Sequence, residues 1–169
     1  MYTWFVVSMW IHLLTAMVWI GGLAFIAMVL VPTLRDPALR PQAIALLRTT
    51  GKKFQRIAYV SFVVLAVTGV TNLYLKAGGS LALVVATLST SYGRVLIVKV
   101  VLVLVIVVLA LYHDFVVGPA AARALEADPT SATALGLRRR ASWLGRVNTL
   151  LSLVVMTLAL LLVRGVPVL

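Results

Sequence analysis

The chain has 169 residues, 63% of them hydrophobic, with a mean hydropathy of +1.12. Fifteen lysines and arginines against four acidic residues give a formal charge of +11, and the absence of cysteine excludes disulfides, thiolate metal sites and thiol redox chemistry. Four apolar runs, about 4–31, 57–75, 92–117 and 144–163, each approach the roughly 20 residues that a bilayer-crossing helix needs, and runs this long exclude strands. The expectation is an all-α integral membrane protein, a single four-transmembrane-helix bundle over residues 1–169.

Span one opens with Tyr2, Trp4, Phe5 and Trp10, an aromatic set suited to the headgroup level. No charge precedes Arg35 and the apolar run is too long for a signal peptide, so this span is expected to stay in the mature protein. Ser8, His12, Thr15, Trp19 and Gly22 recur at spacings of four and three. They form one polar or small-residue stripe that should face the other helices. Pro32 is expected to stop the helix. Between spans one and two, a short interfacial helix is expected through Ala43 to Arg48.

In span two, Ser61, Leu65, Thr68 and Asn72 repeat the inward spacing, with Gly69 beside them. After Gly78-Gly79, Leu81 to Leu88 is too short to cross and should dip into the interface. Span three holds Lys99 in a run of valine, leucine and isoleucine, with His113 fourteen residues later. Both lie on one stripe with Val103, Ile106 and Ala110, yet at 1.5 Å per residue they are roughly 21 Å apart and cannot share a metal ion. Residues 118–140 read as a helical connector with a turn at Asp128-Pro129. In span four the inner stripe is expected to be Gly145, Thr149, Ser152, Met156 and Ala159.

The basic residues fix an expected topology. Arg35, Arg40, Arg48, Lys52, Lys53 and Arg56 lie between spans one and two, and Arg123, Arg138, Arg139, Arg140 and Arg146 between spans three and four. The opposite side receives only Lys76, Arg94 and Arg164. The positive-inside rule then places both termini outward in the cytoplasmic membrane, multi-pass, with the basic loops against anionic lipid headgroups rather than nucleic acid.

Counting depths from the outward ends puts His12, Lys99, Met156 and Thr68 in one layer. Met9 stands one turn from His12. Intramembrane ionisable groups are costly, which makes function the default explanation, with plain hydrogen bonding inside the bundle as the alternative. His12 with Met9 or Met156 suits Cu(I). His12 with Met156 or Lys99 equally suits the axial positions of haem b. Ser8 or Thr15 is expected to hold the second ring nitrogen. His113, beside Asp114 at the cytoplasmic boundary, is a secondary candidate. No nucleophile with a partnered base, carboxylate pair, phosphate loop or HExxH is present, so hydrolase and kinase chemistry find no support.

The wording "IHLLTAMVWIGGLAF", "AVTGVTNLYL" and "YGRVLIVKVVLVL" resembles the CopD copper-resistance membrane domain, through His12, Trp19, Gly21-Gly22, Thr68-Gly69, Tyr92-Gly93 and Lys99. The same histidine and lysine, with "LYHDF", resemble the more distant HemJ family of haem-associated membrane proteins. The first resemblance implies copper uptake or handling at the membrane with an outward-facing copper protein as partner, and a lone domain acting as a homo-oligomer or subunit. The second implies a haem b oxidoreductase with a redox partner. A cofactor-free assembly subunit is a third reading.

Overall fold

The computed structural model describes residues 1–164; residues 165–169 lie outside the described residues. Continuous apolar sequence satisfies its own backbone only as helix in a bilayer, and the chain is helical almost throughout. α1 (Tyr2–Phe25) continues through a π-turn (Ile26–Leu30) into α2 (Val31–Thr33). A turn leads to α3 (Arg40–Lys76), the short α4 (Leu81–Leu88) and α5 (Ser91–Tyr112). A second π-turn (His113–Val117) joins α5 to α6 (Gly118–Ala127), and α7 (Ala132–Arg164) completes the bundle. Four helical stretches, Tyr2–Thr33, Pro41–Lys76, Ser91–Ala127 and Ala132–Arg164, are long and apolar enough to cross a membrane.

Three expectations change. The interfacial helix over Ala43 to Arg48 is not separate: it is the first part of α3, because nothing between Arg40 and Lys76 breaks the ladder and Gly51 is tolerated within it. Pro32 does not stop the first helix where it stands. The Val31 N–H reaches back five residues to the Ile26 carbonyl, and the Gly118 N–H does the same to His113. Each π-turn is followed at the second position by a proline, Pro32 or Pro119. Such a ring would press on the carbonyl four residues back in a regular helix, and the extra residue in the turn relieves that overlap. Spans one and three thus accommodate a proline by the same device.

The third change concerns span four. Ser152, Val155 and Leu162 are buried, whereas Met156 is 49% exposed. The inward face steps by three from Ser152 rather than by four. One 100° increment moves Met156 off the packed stripe.

The packed centre takes one buried residue from each span: Trp19, Ala58, Ile106 and Val155. Trp19 meets Phe62 edge-on with ring centroids 5.1 Å apart. α1 packs mainly on α3 and α5 mainly on α7, so the bundle is two antiparallel hairpins. At the end carrying the termini, Lys76 Nζ sits 3.8 Å over the Tyr92 ring. Thr90 caps α5 by accepting the Gly93 N–H at 3.2 Å. Gly93 is buried where any Cβ would strike the backbone of Thr87 and Leu88, so only glycine lets α4 fold back this closely on α5. At the other end Arg48 and Glu126 pair across α3 and α6 at 2.6 Å, both about half exposed.

Candidate functional site

Toward the end of the bundle that carries the termini, two stripes meet. α1 supplies Ser8 and His12, one turn apart, and α3 supplies Thr68 and Asn72, also one turn apart. His12 Nδ1 lies 2.8 Å from Thr68 Oγ1. The Thr68 hydroxyl has a single hydrogen, and it is committed to the Val64 carbonyl at 2.6 Å. Thr68 must therefore accept from His12, which places the proton on Nδ1 and leaves Nε2 with a bare lone pair. This is the second-shell arrangement that readies an imidazole for a ligand. Gly69 borders the ring: a Cβ there would stand 3.6 Å from His12 Cε1.

The partner of the second ring nitrogen is thus Thr68, not Ser8 or Thr15. Thr15 instead turns its hydroxyl back to the Ile11 carbonyl. Ser8 does neither. Ser61, Thr68, Thr71, Thr149 and Ser152 all donate to the carbonyl four residues back, while Ser8 Oγ is buried without a partner, as is Asn72 Oδ1. Buried polar atoms are seldom left so. Both stand one turn from the His12–Thr68 pair, on its terminal side.

Lys99 on α5 lies within electrostatic reach of the His12 ring. Among the described residues it forms no ion pair. The reason is plain in the sequence: Asp36, Asp114, Glu126 and Asp128, the only acids, all belong to the opposite end. The structure therefore joins His12 to Thr68, with Met9 half-buried one turn from the histidine. Trp19 lies two turns deeper in the packed centre. Met156 is at the bundle's surface. No three His, Cys, Asp or Glu side chains converge among the described residues, so a site here draws on one imidazole with softer or neutral donors.

A second polar chain closes the other end. Gln55 Nε2 donates to Tyr59 Oη at 3.3 Å, the Tyr59 hydroxyl donates to Asp114 Oδ2 at 3.0 Å, and His113 Nδ1 lies 2.9 Å from Asp114 Oδ1. Tyr59 also stacks on Phe115, 4° from parallel. The sequence pointed to His113 and Asp114 but not to Tyr59 and Gln55. Their only signal was a tyrosine at the boundary depth of span two, facing the one carboxylate that ends span three. His12 and His113 join different clusters, as the depth count requires.

Comparison with known proteins bears on these residues unequally. The family profile of copper resistance protein D, CopD, matches residues 48–162, a segment that includes Thr68, Lys99 and His113 and begins after His12. An uncharacterized protein of Aquifex aeolicus (strain VF5) is 30% identical over 152 residues, covering 89% of each chain. No solved structure matches. With the family profile covering most of the chain and the four apolar helices in place, this multi-pass membrane protein belongs to the copper resistance protein D family.

Proposed function

We propose that the protein handles copper at the cytoplasmic membrane, taking Cu(I) as its cargo at His12 Nε2 in the bundle half that faces outward. The observation that carries this reading is the position of the Thr68 hydroxyl between the Val64 carbonyl and His12 Nδ1, which favours the tautomer that presents Nε2 as a donor. Met9 adds a soft thioether nearby, and imidazole with thioether suits Cu(I) better than harder ions. Ser8 Oγ and Asn72 Oδ1, buried without partners one turn away, leave polar groups free on the same side of the pair. Met156, exposed on span four about 12 Å inside its outer end, faces lipid and takes no part in this site. His113 is a separate donor at the cytoplasmic end.

Lys99 sets the strength of binding. A protonated amine within reach of His12 repels a cation there, by on the order of 1–2 kcal/mol at an effective dielectric of about 20. Such a site binds and releases rather than stores. The test is Lys99→Met in detergent-purified protein. Cu(I) affinity, measured by competition with a chromophoric chelator, is expected to rise about tenfold and to vanish in His12→Ala. The other sequence-level reading, haem b with His12 as axial ligand and Lys99 on a propionate, predicts the reverse: a Soret band in the wild type that Lys99→Met weakens. Neither Cu(I) binding nor a Soret band dependent on His12 would dismiss both.

A further inference from the structure

Between the end of α5 and the start of α7 lies a cleft of about 330 Å³ at the basic end of the bundle. Tyr112, Val117, Gly136, Trp143 and Leu144 line it, with Arg139 and Arg140 at its border. On α7, Arg139, Arg140 and Trp143 stand three, four and seven residues after Gly136, so all three flank the side of the helix that Gly136 opens. The cleft stands at the hydrocarbon boundary, for the apolar run of span four begins at Leu144 and that of span three ends at Val117.

Among the described residues the arginines have no counter-charge. Each of the four carboxylates is engaged elsewhere: Asp36 with the Ala38 N–H, Asp114 with Tyr59 and His113, Glu126 with Arg48, and Asp128 with Thr130. Among the described residues neither Arg139 nor Arg140 forms an ion pair. Two unpaired guanidinium groups present forked donors matched to phosphate oxygens. A free phosphate would need only these. The exposed Tyr112 and Trp143 rings instead suit the junction of headgroup and acyl chain.

We infer that this cleft is a binding site for the phosphate headgroup of an anionic glycerophospholipid. Arg139 and Arg140 hold the phosphate, while Tyr112 and Trp143 pack against the glycerol and first acyl carbons. Basic pockets between spanning helices are a recognised way to hold such lipids. Gly136 keeps the cleft open: a Cβ there meets nothing within 4 Å, so a larger side chain fills the space without disturbing the helix.

The experiment is native mass spectrometry of the detergent-purified chain titrated with phosphatidylglycerol or phosphatidylcholine. The wild type should retain one phosphatidylglycerol in preference to phosphatidylcholine. The double variant Arg139→Gln/Arg140→Gln should bind it roughly thirtyfold more weakly, the attraction of two surface cations. Gly136→Leu, which leaves every charge in place, should lose the lipid as well. Arg138→Gln, adjacent but outside the cleft, should change binding by less than about threefold. The inference fails if Arg138→Gln costs as much as the double variant, because binding is then diffuse, or if Gly136→Leu binds like the wild type. Displacement of the lipid by inorganic phosphate at about tenfold excess, more than simple screening allows, would make this a free-anion site and overturn the lipid assignment.

Discussion

Replacing Thr68 by valine tests the central geometry with little change of shape, since the two side chains differ by hydroxyl against methyl. Thr68 is buried, so no water readily takes the place of its oxygen. Two bonds disappear. The one to the Val64 carbonyl matters little, because a helical carbonyl at that position already has its backbone partner. The one from His12 Nδ1 leaves a half-buried N–H unpaired, nominally about 1–3 kcal/mol. Interhelical hydrogen bonds in membranes average nearer ~0.6 kcal/mol, because the unfolded chain finds partners too. Thermal unfolding in detergent should therefore shift modestly. Ligand binding should suffer more: losing the group that orients an imidazole costs about 10–100-fold in metal affinity. Thr68→Ser, which keeps the acceptor, should bind as the wild type does. The measurement is Cu(I) competition alongside unfolding on all three proteins. Equal affinity in Thr68→Val and the wild type, with both folded, would refute the tautomer argument. An affinity loss in Thr68→Ser matching that in Thr68→Val would show that the methyl contacts, not the hydroxyl, matter.

Other consequences follow from individual contacts. Gly93→Ala drives a Cβ into the Thr87 and Leu88 backbone and should cost about 1–3 kcal/mol of stability, as overpacking does, whereas Gly145→Ala, open on all sides, should be neutral or slightly stabilising. Tyr59→Phe removes the donor to Asp114 across spans two and three and should lower detergent stability by about 1–2 kcal/mol without altering Cu(I) affinity at His12. In a chain without cysteine, Ser89→Cys between α4 and α5 should react with an impermeant thiol reagent applied outside intact cells, and Thr130→Cys between α6 and α7 should not; the opposite pattern would invert the topology. Asp128 accepts the hydroxyl and backbone N–H of Thr130, which hold its carboxyl below the ordinary value of 3.8. A depressed carboxylate stabilises above its unfolded pKa and loses that contribution as pH falls through the lower folded value. The α6–α7 turn should accordingly stay protected from acid proteases as pH falls to the ordinary carboxylate value of 3.8, and open only below it, in limited digestion.

Much of this fold is legible in the sequence. Length of apolar run reports crossing helices directly, because a bilayer leaves the backbone no alternative. The inward stripes of spans one to three held for the same reason that they were visible: against a hydrocarbon background each serine, threonine, histidine or lysine is an outlier, and its spacing reads as a face. Span four was harder. Ser152, Val155 and Met156 are all compatible with a helical stripe, and apolar Val155 carries no signal against its surroundings, so the step of three could not be told from the step of four. The π-turns were hidden because proline normally announces an end, whereas here an inserted residue absorbs it. The Thr68 partnership was half visible: depth counting placed it level with His12, but which of three nearby hydroxyls faces the ring depends on rotation between helices, which no single span encodes.

The distribution of charge ties the two ends together. All four acids and most of the cations sit at one end, where Arg48–Glu126 and Tyr59–Asp114 stitch one hairpin to the other. At the opposite end α1 and α3 meet around His12 and Thr68, with no acidic side chain of the described residues there. If a cation enters there, an imidazole and a thioether are available to bind it, no acidic side chain of the described residues is there to trap it, and a protonated Lys99 would oppose it. Affinity at such a site comes from coordination bonds alone, and each of those is exchangeable for a donor on another protein. If copper is the cargo, the site should therefore be sensitive to removal of Lys99 and tolerant of changes at Asp114. A Cu(I) affinity that fell equally in Lys99→Met and Asp114→Asn would mean that global stability, not local charge, governs binding.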